Sequence, residues 1–481
     1  MANELREKTI NGFFWQLGQK ISCQLISFGI SVVLARLLSP NDYGVVAICS
    51  MFLMLVGIII DGGLGTALIQ KKDIDEIDFN TVFYAGTVFS FIIYAITFVI
   101  APFIAVLFDN EQITPVIRVL AILMPIGTLS SVQSAFIQRQ MAFRKYFISS
   151  LYGTIASGCI GLIMAFMGFG VWALVGQSLV NTLTNTIVLF IINQWRPKWM
   201  FSWERFRILF SFGWRMVAVN VLNAFFYQLK GYVIGYKYSA SDLAYYNRGE
   251  GLPGILYNNI SSTINTVLFP ALSNLQDDKQ AIKYALARSM RTTCFFLMPA
   301  LLGLAAISDK LVLIIFTEKW AAAIPFMQII CFISCSDILG MANYQAIKAL
   351  GKVDVLLKME FYKRPLMFFI LIITMFISPL AIAVGQLFYS VSATLFNAWP
   401  NKKYINYSIT EQFSDIGHSF LSALAMALVV YMIGRIDFNI YGSIGLQITV
   451  GTLLYLLLSW IFNKKDLQYI TRLVKEKLLR R

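Results

Sequence analysis

Histidine is almost missing from this chain. His418 is the one imidazole in 481 residues, so a histidine general base and a histidine-built metal site both lack material. Charge is scarce too. Only 13% of the residues are charged and 58% are hydrophobic, against about 25% and about 45–50% in soluble domains, which excludes an ordinary soluble fold. No polar connection between apolar runs reaches 20 residues, so no domain outside a bilayer is available to house an active site. There is no GxxxxGK[ST] loop for nucleotide hydrolysis. The six cysteines (Cys23, Cys49, Cys159, Cys294, Cys331, Cys335) lie in apolar stretches, where they pack as small polarizable side chains and imply no disulfide framework. Cys331 and Cys335 share a helix face, but no further ligand stands near them, and packing is their expected role. The opening MANELREKTINGFFWQ has no small-residue cleavage site and leads into a full-length apolar run, so it is expected to stay as the first span.

What fills the chain is about fourteen apolar runs of roughly 20 residues, the length of a helix crossing a ~30 Å hydrocarbon core. The expected fold is an all-α integral membrane protein. Spans are expected near 12–35, 44–68, 80–107, 116–137, 147–167, 171–193, 208–235, 250–274, 292–316, 322–345, 361–378, 380–399, 417–434 and 441–462. The surplus charge of +14 sits in short blocks between these runs and not on one basic-aromatic surface, which argues against nucleic acid. With both termini on one side, 29 basic residues fall in the tails and alternate loops, Lys363 and Arg364 among them, and six on the other side. The positive-inside rule then places both termini in the cytoplasm.

An internal repeat organises the spans. LARLLSPNDYG, with Ser39 and Asp42, stands 200 residues before IGYKYSASDLAYY, with Ser239 and Asp242; Phe108 and Pro115 correspond to Phe316 and Pro325. Spans 1–6 therefore read as a copy of spans 7–12 in the same orientation, which predicts two lobes with substrate between them. The expected division is a six-helix lobe over 1–200, a second over 201–405, and two extra helices with a basic cytoplasmic tail over 406–481.

Four basic residues remain inside spans: Lys20, Arg118, Arg215 and Lys230. A charge at the bilayer centre costs about 2.5–3.5 kcal/mol, so such residues face a hydrated cavity or, near an interface, snorkel out of the membrane. Both readings stay open for Lys20, Arg118 and Arg215. On span 1, Gln16, Lys20, Gln24, Ser27 and Ser31 form one polar stripe; on span 7, Arg215, Asn223, Phe226 and Lys230 share a face. Span 8 carries Asn258, Asn259, Ser261, Ser262, Asn265 and Thr266 between Pro253 and Pro270, which predicts a bent helix lining a wet path or bonding its neighbours. Among acids, Asp337 in mid-span, Asp61 before its glycines and Glu250 are the candidates to take a coupling cation or proton.

LARLLSPNDYGVVA from Leu34, DGGLGTALIQKKD from Asp61, AYYNRGEGLPG from Ala244, LFPALSNLQDD from Leu268 and FTEKW from Phe316 together resemble the Wzx-type polysaccharide flippases, in particular the colanic-acid exporter branch of the multidrug/oligosaccharidyl-lipid/polysaccharide (MOP) superfamily. The resemblance implies a MATE-like arrangement of two six-helix lobes and two extra helices. It implies alternating-access movement of undecaprenyl-diphosphate-linked oligosaccharide across the bacterial inner membrane, coupled to sodium or protons, with no other cofactor and no catalysis. Partners on this reading are the lipid-linked glycan, membrane lipids and the polysaccharide polymerase or export machinery. Lys20, Arg118, Arg215 and Lys230 suit the diphosphate, and Gln24, Asn223, Asn258 and Asn265 suit glycan hydroxyls. The alternatives are a lipid II flippase, a drug/cation antiporter, which would favour buried acids, and a polysaccharide polymerase or ligase, which would need a larger outward loop.

Overall fold

The computed structural model describes residues 2–61, 65, 68, 74–436 and 439–479, and every regular element among them is helical. The helices are α1 (Ala2–Leu37), α2 (Pro40–Asp61), α3 (Glu76–Leu107), α4 (Ile113–Leu120), α5 (Leu123–Arg139), α6 (Phe143–Phe166), α7 (Val171–Ile192), α8 (Trp203–Lys237) and α9 (Ala240–Thr263). A π turn (Ile264–Leu268) and α10 (Phe269–Ser273) follow, then α11 (Lys279–Phe316), α12 (Ile324–Ala349), α13 (Val353–Thr374), α14 (Pro379–Ile405), α15 (Ile409–Gly434), α16 (Ile440–Phe462) and α17 (Lys464–Leu479).

Among the described residues, eleven membrane-length segments are long and apolar enough to cross a bilayer, α4 and α5 together forming one of them. Three expected spans fall outside that set: α8, the α9–α10 segment and α13. All three carry polar or charged groups in their interiors, the expense that marks functional helices in membranes. The α17 helix was not expected; its stretch was read as a tail. Its Asp466 and Ile470, one turn apart, are buried, and the Arg288 guanidinium lies over the Tyr469 ring.

By internal contacts the chain parts into Met1–Ala244 and Tyr245–Arg481. In the first unit α6 packs on α7 and on α1, and α8 packs on α2. Glycines permit the close approaches. A Cβ at Gly158 would lie 2.1 Å from Ile30 Cδ1, so the Ile30 side chain takes the space that glycine leaves open between α1 and α6. In the second unit α11 packs on α12 and α15, and α12 packs on α14. The extra helices α15 and α16 join through polar contacts: Tyr455 donates to the Phe295 carbonyl (2.8 Å) and Asn463 to Ser419 (2.9 Å).

The repeat is visible atom by atom. Ser39 donates through Oγ to Asp42 Oδ2 (2.6 Å) and accepts from the Asp42 N–H (3.2 Å). Ser239 does the same with Asp242, at 2.6 Å and 3.0 Å. Each pair caps the helix that follows it, α2 or α9, because serine supplies an acceptor for an orphan N–H and the acid offsets the positive helix end.

Candidate functional site

The α1 stripe lies on an open side of its helix. Gln19 donates to Ser150 on α6 (3.2 Å), and Ile30 fits against Gly158 on the same face. The stripe of Gln16, Lys20, Gln24, Ser27 and Ser31 is centred about 100° around the helix from that contact. Gln16, Lys20 and Ser27 are exposed, while Gln24 and Ser31 are half-buried. An exposed lysine on a membrane-length helix is held at low cost only by water or an anionic partner.

On α8 the packing side is set by Tyr232, which donates to the Met51 carbonyl (2.9 Å), and by Gly231 and Gly235, which lie against Met51 and Ile48. Asn223, Phe226 and Lys230 occupy the side turned away from α2. Asn223 is exposed and Lys230 half-buried, with the Lys230 ammonium 5.5 Å from the Tyr227 ring centre. The Arg215 side chain lies outside the described residues, and so does that of Asp61, the last residue of α2. Arg118 is engaged locally: its Nε donates to the Phe98 carbonyl (3.1 Å) and its guanidinium sits 4.1 Å from that ring's centre.

The α9–α10 segment bends as its prolines and hydroxyls predict. Pro270 lacks an N–H and its ring crowds the carbonyl of Thr266, four residues back. Ser262 and Thr263 donate to the Asn259 carbonyl (2.9 and 3.0 Å), and Thr266 donates to the Ser262 carbonyl (2.8 Å). The result is the π turn, a device that recurs at functional sites. Asn258 and Asn265 are exposed, and Gln345 of α12 donates to the Asn265 carbonyl oxygen. Glu250 is half-buried on α9; beside it Arg248 lies 4.7 Å from the ring centres of both Phe316 and Trp320.

Asp337 is half-buried on α12 and accepts a hydrogen bond from Ser390, a buried serine of α14. Around it runs a polar seam. Thr394 donates to the Ser336 carbonyl (2.9 Å), Asn397 to the Gly340 carbonyl (3.1 Å), and Asn401 to Asn343 Oδ1 (2.6 Å). Asn343 in turn donates to Gln412 of α15 (2.9 Å).

The sequence reading missed the charged group beside this seam. Lys363 and Arg364 were counted as cytoplasmic loop charges because the apolar run begins at Phe361. The helix instead starts at Val353, which places Lys363 about 15 Å along it. Lys363 is 6% exposed. It pairs with Glu360 and donates to Asn397 Oδ1 (3.1 Å), while Arg364 pairs with Glu360 at 3.0 Å. The signal was the i, i+3 and i, i+4 spacing of Glu360 with Lys363 and Arg364, an intrahelical ion-pair pattern. Removing these two from the 29 leaves the charge asymmetry between the two sides intact.

A model of the family described as "Polysaccharide biosynthesis protein" matches residues 33–325. The chain is similar to the succinoglycan biosynthesis transport protein ExoT of Rhizobium meliloti, 26% identical over 313 residues, which cover 65% of this chain and 63% of that protein. It is similar to the lipopolysaccharide biosynthesis protein WzxC of Escherichia coli, 23% identical over 81% of this chain and 78% of that one. The teichuronic acid biosynthesis protein TuaB of Bacillus subtilis is 23% identical over 83% and 84%. Among solved structures, the lipid II flippase MurJ in an inward closed conformation superposes with a TM-score of 0.74 at 14% identity, covering 94% of this chain and 99% of that one. An inward-facing multidrug resistance MATE family transporter of the MOP superfamily gives 0.62 at 13% identity, over 79% and 94%. At these identities the two structures establish the fold.

Proposed function

This chain belongs to the polysaccharide biosynthesis protein family, and from that premise we propose that it is a Wzx-type flippase of the MOP superfamily whose cargo is an undecaprenyl-diphosphate-linked oligosaccharide. The cargo moves from the cytoplasmic to the outer leaflet of the bacterial cytoplasmic membrane by alternating access, feeding a surface-polysaccharide polymerase or export machinery. No covalent step is assigned to the chain. The observation that carries the substrate class is the position of Lys20 and Lys230 on repeat-equivalent helices, α1 and α8, each on the side turned away from its packing contact. Ammonium groups pair with phosphate oxygens through charge-assisted hydrogen bonds, and Gln24, Asn223, Asn258 and Asn265 supply amides for sugar hydroxyls. A carrier of organic cations would invert that balance.

In a strain lacking this protein, lipid-linked oligosaccharide is expected to accumulate in the inner leaflet and surface polysaccharide to disappear, read by mass spectrometry of the lipid extract. Accumulation of lipid II in place of the glycan-specific intermediate would move the assignment to cell-wall synthesis. Lys20→Gln with Lys230→Gln should lower export while the protein stays inserted and abundant. Each charge-assisted hydrogen bond is worth about 1.5–3 kcal/mol, or roughly 10- to 150-fold in affinity. Lys→Arg at either site should retain most of the export. Normal export by the double glutamine variant would reduce the two lysines to snorkelling charges.

The reading also fixes an orientation with both termini cytoplasmic, supported by the basic asymmetry. Asn110→Cys and Ser378→Cys should then react with an impermeant thiol reagent added to intact cells, and Lys403→Cys should not. Labelling of the last from outside would reverse the topology.

A further inference from the structure

Lys363 is the only basic side chain among the described residues that is buried in the folded chain; the other buried formal charges are the acids Asp78 and Asp466. Burial of an ammonium inside a membrane-length helix bundle is costly unless several oxygens receive it. Here they do. The receiving groups are a Glu360 carboxylate oxygen, the Asn397 side-chain carbonyl oxygen at 3.1 Å, and the face of Tyr344, whose ring centre is 6.0 Å away. Asn397 is held in that pose because its own Nδ2 donates to the Gly340 carbonyl (3.1 Å), which turns Oδ1 toward the lysine. The approach of α12 to α14 is tight: a Cβ at Gly340 would lie 2.8 Å from Thr394 Oγ1 and 3.3 Å from Asn397 Nδ2. Asn397 Oδ1 is therefore fixed by packing beside the Glu360 carboxylate.

A carboxylate oxygen, an amide oxygen and an aromatic face form a cation site. We propose that the site belongs to the chain's own cation: the Lys363 ammonium occupies, on a tether, the place that a free alkali cation would otherwise take in the second unit. Arg364 neutralises the other Glu360 oxygen at 3.0 Å. The remaining ionisable groups facing the cluster are Asp337 and Tyr389; Tyr389 lies within electrostatic reach of Arg364, Glu360 and Asp337. With two basic side chains paired to Glu360, added sodium would meet a carboxylate already compensated. The consequence is that sodium does not bind at this cluster in the native chain, and that removing the Lys363 side chain creates an alkali-cation site.

The test uses the full-length protein purified in detergent, with thermal unfolding followed while sodium chloride replaces choline chloride at constant ionic strength. The native chain should show no sodium stabilisation that depends on Glu360. Lys363→Ala should have a lower Tm in choline that rises saturably with sodium, by about 2 °C at roughly tenfold above the dissociation constant. Methylammonium chloride should rescue it as well, because it restores the missing ammonium. Adding Glu360→Gln to Lys363→Ala should abolish both effects, and Lys363→Arg should behave as the native chain does. Saturable, Glu360-dependent stabilisation of the native chain by sodium would overturn the proposal, as would a folded Lys363→Ala that ignores both cations. If Lys363→Ala does not accumulate, the native and Glu360→Gln proteins still decide it: a sodium response present in the first and absent in the second refutes the tethered cation. A loss of polysaccharide export without any change in these titrations bears on the cargo assignment alone.

Discussion

Arg205→Ala is expected to destabilise the first unit by about 2–4 kcal/mol, because it takes a guanidinium away from a fully buried carboxylate. Asp78 has no exposed side-chain surface; Arg205 Nη1 lies 3.5 Å from its Oδ2, and Arg205 Nη2 lies 3.3 Å from Asp75 Oδ2. The pair sits where the segment after α7 is strapped to the start of α3. The Lys198 N–H donates to Asn80 Oδ1 (2.6 Å) and the Ser202 N–H to Thr81 Oγ1 (3.1 Å). Trp195 packs its ring on Phe79 and Phe83 within a core cluster that also holds Leu68, Val132 and Leu209. Asp78 also closes a capping box, accepting from the Asp75 N–H at 3.2 Å. The estimate stays below the full cost of breaking a buried pair because the Arg205 side chain is 37% exposed and water reaches its other face. Adding Asp78→Asn to Arg205→Ala should recover a large part of the loss, since a neutral amide needs no cation, and a double-mutant cycle on thermal unfolding reads the coupling directly. Lys198→Ala is the contrast. Its pair with Glu76 is 2.8 Å long, but the side chains are 61% and 47% exposed, so it should cost no more than about 1 kcal/mol. An Arg205→Ala protein as stable as Lys198→Ala would mean that Asp78 does not depend on the arginine.

The sequence disclosed what depends on period and length, and concealed what depends on partners. Apolar runs of spanning length gave the helical membrane fold, and the recurrence of Ser39 and Asp42 as Ser239 and Asp242 gave the repeat; both pairs then turned out to make the same reciprocal cap. Pro270 and the hydroxyls before it announced the bend that the π turn makes. The strap at Asp75, Glu76 and Asp78 escaped notice because its partners stand more than 115 residues away, on Lys198 and Arg205. Lys363 escaped for a different reason. A hydropathy window places a helix where charge is absent, so a helix that hides its charge against its neighbours is read as starting late. Arg118 shows the reverse case: a charge inside an apolar run whose partner is the carbonyl of Phe98, a group that sequence cannot single out.

Gly44→Ala on α2 should have a larger effect on transport than any other glycine-to-alanine change in that helix. A Cβ at Gly44 would lie 1.9 Å from the Ala240 carbonyl oxygen and 2.2 Å from its carbonyl carbon. Those are backbone atoms at the start of α9, so no side-chain rotation relieves the overlap, and the two repeated Ser–Asp caps must move apart. Overpacking of this kind costs about 1–3 kcal/mol or more, from which about 1 kcal/mol of improved helix propensity is returned. Gly57→Ala on the same helix is the matched control. It gains the same propensity and meets no atom within 4 Å, so it should be neutral or slightly stabilising. On the proposed alternating-access cycle the contact between the two caps is made in one conformation, and a net penalty of about 1.4 kcal/mol on that conformation lowers its population roughly tenfold relative to its alternative. Reaction of Ala240→Cys with a thiol reagent reports the change, because Ala240 is 8% exposed when the caps meet. Labelling in the Gly44→Ala background should be about tenfold faster than in the Gly57→Ala background, and polysaccharide export should fall in the first and persist in the second. Equal labelling and equal export in the two backgrounds would show that α2 and the start of α9 do not hold this contact while the protein works.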